Sequence, residues 1–192
     1  AYSGHGIVVA DLNGDGLPEI VLANFGGPNS NAGASYIYWG QAGGTYGVLY
    51  SPSARTELPT IGARSVAVAD LNGDARPEVI FANRQNGSNA VLNSYIYWGQ
   101  AGGTYGVTYN SDFRTDLPTL GGIGVAVADL NKDGRPEVIF ANRQDNSTHY
   151  VNSYIYWGVA GGTYGTTYSV AQRTELPTIG AFGLSVADIN KD

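Results

Sequence analysis

The hydrophobic positions of this chain form short apolar, β-branched runs separated by turn residues, a pattern that predicts strands rather than helices. In one unit, "SVAVADL" (Ser65–Leu71), "PEVIFAN" (Pro77–Asn83) and "SYIYWG" (Ser94–Gly99) each have the length of a strand. After the glycine-rich turn "QAGGTYG", a fourth strand is expected near "VTYNSDF" (Val107–Phe113). The following "RTDLPTLGG" is expected to cross to the next unit.

This pattern recurs with a fixed period of 59 residues. The interval separates four aspartates that each begin an acidic turn: Asp11, Asp70, Asp129 and Asp188. The copies of "SYIYWG" and "GGTYG" keep the same spacing. We therefore expect an all-β fold of tandem four-stranded antiparallel blades of the β-propeller type.

The number of repeats predicts how many blades the chain contains and whether they close into a ring. The expected units are blades at residues 1–59, 60–118 and 119–177, followed by the start of a fourth repeat at 178–192. Closed propellers need about four to eight blades. We expect about three blades plus one extra strand, not closed within this chain.

Composition excludes several functional classes. The chain has no cysteine and only two histidines, so thiolate chemistry and histidine-based zinc sites are not expected. Its formal net charge is -6, without the basic face of a nucleic-acid binder. No run approaches the roughly 18 apolar residues of a membrane span. Of 16 acidic residues, 9 lie in the three complete acidic turns, which points to a local role for the charge.

That role is expected to be calcium binding. Counting from Asp11 as position 1, oxygen ligands stand at positions 1, 3, 5, 7 and 9, and position 7 contributes its backbone carbonyl. Such an oxygen-rich shell suits Ca²⁺, but the glutamate of an EF-hand at position 12 is absent. The alternative is a hairpin whose Asp and Asn side chains only bond their own backbone. The expected ligands are Asp11, Asn13, Asp15, Leu17, Glu19; Asp70, Asn72, Asp74, Arg76, Glu78; and Asp129, Asn131, Asp133, Arg135, Glu137.

The copies of this loop are not equal. Position 6 is glycine in the first and third copies but Ala75 in the second, so we expect the second loop to bind calcium least tightly. The fourth copy retains Asp188, Asn190 and Asp192 but has no ligand at position 9. About one Ca²⁺ per complete repeat is expected.

The motif "DLNGDGLPE", followed by an apolar strand and by "YIYWG" and "GGTYG", resembles the FG-GAP/VCBS repeats of integrin-type β-propellers. The resemblance implies four-stranded blades, calcium in the hairpin between the first two strands, and extracellular adhesion or ligand recognition. The chain departs from that pattern with Asn at position 3 and Glu at position 9. The Phe-Gly and Gly-Ala-Pro elements survive only as a trace in "NFGGPN".

Other repeated residues have structural and functional readings. Tyr36, Tyr38 and Trp39 are expected to pack in the core and between blades, although lectin-like sites also use such aromatics. Arg55 and its copies are expected to form ion pairs between blades. Three turn tyrosines are candidates for ligand binding: Tyr46, Tyr105 and Tyr164. Two asparagines fit the glycosylation pattern: Asn86 and Asn146.

These features predict a calcium-stabilised, secreted module for adhesion or for recognition of a glycan or protein surface. Catalysis is not expected, because no nucleophile recurs beside His5 or His149. The recognition surface is expected in three variable loops: Phe25–Ala34, Arg84–Asn93 and Arg143–Asn152. The alternative is a structural subunit of an extracellular filament or open repeat array, assembled from further copies through its in-phase ends.

Overall fold

The computed structural model describes residues 3–26 and 32–189, which form an all-β chain of three four-stranded antiparallel sheets. The first blade contains β1 (Gly4–Ala10), β2 (Glu19–Asn24), β3 (Ala32–Tyr38), β4 (Gln41–Ala42), β5 (Val48–Leu49) and β6 (Arg55–Ile61). The second contains β7 (Ala63–Ala69), β8 (Glu78–Asn83), β9 (Val91–Tyr97), β10 (Gln100–Ala101), β11 (Val107–Thr108) and β12 (Arg114–Leu120). The third contains β13 (Gly122–Ala128), β14 (Glu137–Asn142), β15 (Ser153–Tyr156), β16 (Val159–Ala160), β17 (Thr166–Thr167) and β18 (Arg173–Leu176).

Each sheet has the strand order of a propeller blade, and the expected all-β fold of tandem, unclosed blades is confirmed. The sheets run β1-β2-β3-β6, β7-β8-β9-β12 and β13-β14-β15-β18. The first strands of successive blades, β1, β7 and β13, are neighbours. The acidic turns all follow these inner strands and therefore lie at one end of the molecule, whereas the connections after the second strands lie at the other.

The fourth strand of each blade is not where the sequence placed it. "VTYNSDF" contributes only β11, which pairs with β10 in a small hairpin, and a 3₁₀ turn at Ser111–Phe113. The fourth strand is β12, which pairs with β9 over its whole length. Its alternation of buried Leu117 and Thr119 with exposed Asp116 and Pro118 is that of a half-buried strand. Pro118 is accommodated because β12 is an edge strand, where a missing N–H breaks no ladder bond.

The hydrophobic cores lie between blades. One cluster joins the first blade to the second and includes Val21, Ile37 and Leu58 packed near Phe81 and Tyr97. The second repeats this arrangement one blade further along. Hydrogen bonds cross the same interfaces: the Tyr97 hydroxyl donates to the Pro59 carbonyl, and the Tyr156 hydroxyl donates to the Pro118 carbonyl at 2.5 Å. Each blade therefore depends on its neighbour for burial of its apolar face.

The start of the fourth repeat packs on the third blade but is not part of a sheet. Residues 177–189 include no assigned strand, although Gly183 and Leu184 lie against Gly124 of β13. The expected extra strand is thus not hydrogen-bonded as a strand, because no second strand of a fourth blade is available among the described residues to pair with it. Within residues 3–26 and 32–189, no helix is long and apolar enough to span a membrane.

Candidate metal loops and the surfaces around them

Each acidic loop is curled by hydrogen bonds from its own backbone to its aspartates. In the first loop, the Asp11 carboxylate accepts from the Gly14 N–H at 2.7 Å and from the Gly16 N–H at 2.9 Å. Asp15 accepts from the Leu17 N–H at 2.8 Å. Asp70 and Asp129 accept corresponding bonds from the amides of position 6, Ala75 and Gly134, each at 2.9 Å. The odd spacing of polar residues thus produces the tight turn predicted from sequence.

Two positions in this turn have a left-handed backbone. Position 6 has φ of 83° at Gly16, 64° at Ala75 and 81° at Gly134. Position 4 is also left-handed, and there the third loop has Lys132 with φ of 59°. A side chain in this region costs roughly 1–2 kcal/mol relative to glycine. The second and third loops therefore each carry one strained residue, of which only Ala75 was predicted from sequence.

A fully buried glutamate closes the base of each loop: Glu19, Glu78 and Glu137. One oxygen of each accepts a 2.7 Å bond from the backbone N–H of the leucine at position 2. In the first loop the other oxygen accepts a long 3.3 Å bond from the Gly40 N–H. The equivalent oxygens of Glu78 and Glu137 lie near the Gly99 and Gly158 N–H groups but form no well-aligned hydrogen bond among the described residues. Burial, together with the nearby Asp74 and Asp70 carboxylates, raises the pKa of Glu78 to about 8. Burial also raises the pKa of Glu19 and Glu137.

A tyrosine from the small hairpin holds each loop in place. The hydroxyls of Tyr50, Tyr109 and Tyr168 donate to the carbonyls of Pro18, Pro77 and Pro136 at 2.7–2.8 Å. This role of the tyrosines was not predicted from sequence, because Tyr109 lies in the segment expected to be the fourth strand. Their spacing of 59 residues was the available signal.

The loops supply the oxygen donors that calcium prefers, but these donors do not converge in this structure. Within the described residues, no group of three or more Asp, Glu or His side chains is gathered as a metal cluster. Asp11 and Asp15 instead bond the loop backbone, and Asn13 donates to Asp15 at 3.0 Å. The buried oxygens of Glu78 and Glu137 form no well-aligned hydrogen bond among the described residues, and a cation fits as a further partner. The residue set is therefore compatible with calcium.

The arginines at position 7 have a role beyond their backbone carbonyls. Arg76 forms an ion pair with Asp74 at 2.7 Å, and Arg135 forms one with Asp133 at 3.2 Å. In each pair the arginine binds the carboxylate at position 5, which was expected to be a metal ligand. The first loop has Leu17 at this position and so lacks the competing charge. In the fourth repeat Asp188 is described, whereas Asn190 and Asp192 lie outside the described residues.

The three candidate ligand-binding tyrosines occupy different environments. Tyr105 stacks on Trp39 of the preceding blade, with ring centroids 4.6 Å apart, and Tyr164 stacks in the same way on Trp98 at 4.5 Å. Tyr46 is 93% exposed. Trp39 and Trp98 are buried, as expected for packing residues. The turn tyrosine is therefore a contact between blades wherever a preceding blade is present.

The arginines of the fourth strands pair within their own blade, so the expectation of ion pairs between blades is wrong. Arg114 contacts Asp116 of the same strand at 2.7 Å and lies 4.0 Å from the centre of the Tyr95 ring in the adjacent strand. Arg55 and Arg173 form the corresponding pairs with Glu57 and Glu175. Residues i and i+2 of a strand face the same side, which brings the two charges together.

The two candidate glycosylation sites differ in their contacts. Asn86 is exposed, and its backbone pairs with Asn89 in a tight turn. The Asn146 side chain links two blades, because its oxygen accepts from the Ala90 N–H at 2.6 Å and its amide donates to Asn89 at 3.1 Å. A glycan on Asn146 would replace one of the two hydrogens on this amide nitrogen and would have to fit beside the contact between the blades.

Comparison with known proteins gives a consistent family. Residues 11–81 and 76–140 match the sequence profile of the FG-GAP-like repeat. The chain is 26% identical over 145 residues to cartilage acidic protein 1 of Homo sapiens, covering 73% of this chain and 21% of that protein. It is 26% identical over 140 residues to the T-cell immunomodulatory protein homolog of Plasmodium yoelii yoelii, covering 69% and 19%. The chain thus spans about a fifth of the length of these relatives.

Proposed function

Because the chain belongs to the FG-GAP-like repeat family, we propose that it is a calcium-stabilised, extracellular module that recognises a glycan or protein surface and catalyses no reaction. The observation that carries the calcium proposal is the fully buried glutamate at the base of each curled acidic loop, one of whose oxygens has no well-aligned hydrogen bond in the second and third loops. The name of the human relative refers to cartilage, and an extracellular location is proposed by analogy.

Calcium would be held by the side chains at positions 1, 3, 5 and 9 and by the carbonyl at position 7. When bound, it would supply positive charge to carboxylates that otherwise repel one another. The loop backbone fixes the aspartates, and the leucine N–H groups at position 2 orient the buried glutamates. The hairpin tyrosines hold the proline just before each glutamate. These contacts tie the rigidity of each blade to its acidic loop.

The calcium proposal is tested by calorimetry of the full chain in excess EDTA, in calcium and in magnesium. At a calcium concentration about 100 times the dissociation constant, one site stabilises by about 2.7 kcal/mol and raises the melting temperature by about 5 °C or more. A variant with Asp11→Asn, Asp70→Asn and Asp129→Asn should lose this response. An unchanged melting temperature in calcium relative to EDTA would exclude the proposal, and an equal response to magnesium would exclude selectivity.

Recognition is tested separately, by probing glycan and matrix-protein arrays with the labelled chain in calcium and in EDTA. We expect binding in calcium that weakens when the blades loosen in EDTA. Binding to no surface, in conditions where calorimetry shows a folded chain, would argue against a recognition role.

A second candidate function is assembly into a filament or open array, and the two end faces favour it. Leu176 of the third blade is 41% exposed, whereas its equivalents Leu117 and Leu58 are buried. At each internal interface, a turn tyrosine of one blade stacks on a tryptophan of the preceding blade. Tyr46 is the equivalent tyrosine on the first blade, and Trp157 is the equivalent tryptophan on the third blade. The end faces therefore match one another, and a second copy could continue the stack.

Sedimentation velocity across a concentration series, combined with negative-stain images, tests this candidate. Tyr46→Ser should weaken association about tenfold, because one aromatic stack and its buried area would be lost. A chain that remains monomeric at high concentration would contradict assembly.

A further inference from the structure

The strand pairing is interrupted by a bulge near the start of each inner strand, at the end opposite the acidic loops. The pairing register shifts between Gly4 and Gly6, and again at the equivalent points of β7 and β13. The residues at the bulges are His5, Arg64 and Ile123. Bulges are a common device for redirecting a side chain near functional sites.

Two further arginines reach the same end, because Arg84 and Arg143 directly follow β8 and β14. Arg64 and Arg84 share the Phe25 ring, with guanidinium carbons 5.5 Å and 5.7 Å from its centre. An Arg64 nitrogen lies 3.1 Å from the His5 ring nitrogen. Arg143 lies 4.7 Å from the centre of the Phe182 ring. Guanidinium groups from two blades are thus gathered on aromatic faces near the inner strands.

Among residues 3–26 and 32–189, no carboxylate forms an ion pair with Arg64, Arg84 or Arg143. The ion pairs found among the described residues involve Arg55, Arg76, Arg114, Arg135 and Arg173. The acid closest in sequence, Asp145, accepts bonds at 2.7 Å from the amides of Ser147 and Thr148 and so belongs to its own turn. Residues 27–31, which follow Phe25, include no acid.

The cluster also repels itself. Burial and the charge of Arg143 lower the pKa of Arg64, and burial together with the charges of Arg143 and Arg64 lowers the pKa of Arg84. The net charge of the chain is -6, so three clustered cations that form no ion pair within the described part of the chain do not follow from a generally basic composition. The Nε atoms of Arg84 and Arg143 are buried and have no acceptor among the described residues. An anion would supply the missing acceptors.

We propose that Arg64, Arg84 and Arg143 bind an oxyanion, the carboxylate or sulfate group of an acidic saccharide. The guanidinium fork matches such groups with two parallel hydrogen bonds. Exposed rings at the same end, Phe182 and Tyr150, offer flat apolar surfaces to a sugar. This inference rests on the proposed recognition function, whose ligand class it names.

The test compares three ligands that share one sugar ring: glucose, glucuronate and glucose 6-sulfate, titrated by calorimetry or ligand-observed NMR at low ionic strength. A charged hydrogen bond of about 1.5–3 kcal/mol predicts binding of at least one acidic sugar about 10–100-fold more tightly than glucose. Which acid binds distinguishes carboxylate from sulfate. Equal affinity for all three sugars, or tighter binding of a hexaglutamate peptide, would overturn the proposal.

Variants locate the site. Arg84→Gln and Arg143→Gln should each weaken binding of the acidic sugar about tenfold, and Arg84→Lys, which keeps the charge, should weaken it less. Arg55→Gln is the matched control, because Arg55 is paired with Glu57 at the other end of the molecule. An equal loss in the control would overturn the assignment. The titrations are run in calcium and in EDTA, on chains shown to be folded in each. If the acidic sugar binds equally well in both, that result contradicts the calcium proposal but not the sugar site.

Discussion

Ala75 occupies a backbone conformation that the first and third loops give to glycine. With φ of 64°, its Cβ is strained, whereas Gly16 and Gly134 accept the same geometry freely. We predict that Ala75→Gly raises the free energy of unfolding by about 1 kcal/mol, the strain relieved less the entropy that glycine returns to the unfolded chain. Urea unfolding in EDTA measures this change in the free energy of unfolding. Gly134→Ala, the mirror change in the third loop, should lower the free energy of unfolding by a similar amount; a shift of both variants in one direction would contradict the assignment.

The arginine at position 7 distinguishes the loops by charge. Arg76 neutralises Asp74, whereas the first loop has Leu17 at that place. We predict that Arg76→Leu raises the calcium affinity of the second loop about fivefold, since an exposed ion pair is worth up to about 1 kcal/mol. Titration calorimetry measures it in a background with Asp11→Asn and Asp129→Asn, so that only the second loop binds.

Leu17→Arg provides the reverse test. In a background with Asp70→Asn and Asp129→Asn, it should weaken the first loop by about the same factor. Equal affinities with and without the arginine would show that it does not compete with the metal.

At the residue scale, sequence alone predicted which groups line each loop but not how they interact. The spacing of Asp and Asn predicted the curled turn, which the structure contains. The left-handed Lys132 and the ion pairs of Arg76 and Arg135 were missed, because both depend on backbone angles and side-chain directions that residue types do not reveal.

At the scale of elements, three of the four strands in each blade were located from their apolar runs, and the fourth was not. The apolar and aromatic residues of "VTYNSDF" suggested a strand, but Tyr109 instead directs its hydroxyl to the Pro77 carbonyl beside the acidic loop. The strand β12 contains a proline and charged residues, so its local sequence gave a weak signal. Its identity depends on pairing with β9, which is a non-local contact.

The stacked turn tyrosines provide a matched pair of variants for the contact between blades. Tyr105→Ser should lower the free energy of unfolding by about 2 kcal/mol, because it removes the ring stacked on Trp39. Tyr46→Ser removes the equivalent ring, which is exposed, and should change the free energy of unfolding by no more than about 0.5 kcal/mol. Urea unfolding of both variants at low protein concentration measures the difference. Equal losses would mean that the stack contributes nothing specific.

At the scale of the whole molecule, the period of 59 residues was sufficient to predict tandem blades that do not close within this chain. It could not predict where the cores lie, because the residues that meet across an interface come from different repeats. The structure places both clusters between blades, so the described residues form three four-stranded sheets but two cores.

Stability should therefore follow interfaces rather than blades. We predict that deletion of residues 1–59 removes well over a third of the free energy of unfolding, because one of the two cores is lost. The urea dependence of that free energy should fall in proportion to the smaller buried surface. Deletion of residues 178–192, which leaves both cores intact, is the control and should cost less. Equal losses would contradict a stability concentrated between blades.

Positive and negative charges are concentrated at opposite ends of the molecule. Acidic loops lie at one end, and at the other lie three arginines that form no ion pair among the described residues, so the charge is distributed as an electric dipole despite the net negative charge. Near a polyanionic surface, long-range attraction and repulsion would rotate the molecule before contact, with the arginine end leading. Such steering weakens as salt shortens the range of the field. The polarity of the blades would in this way set the orientation in which the molecule approaches a charged surface.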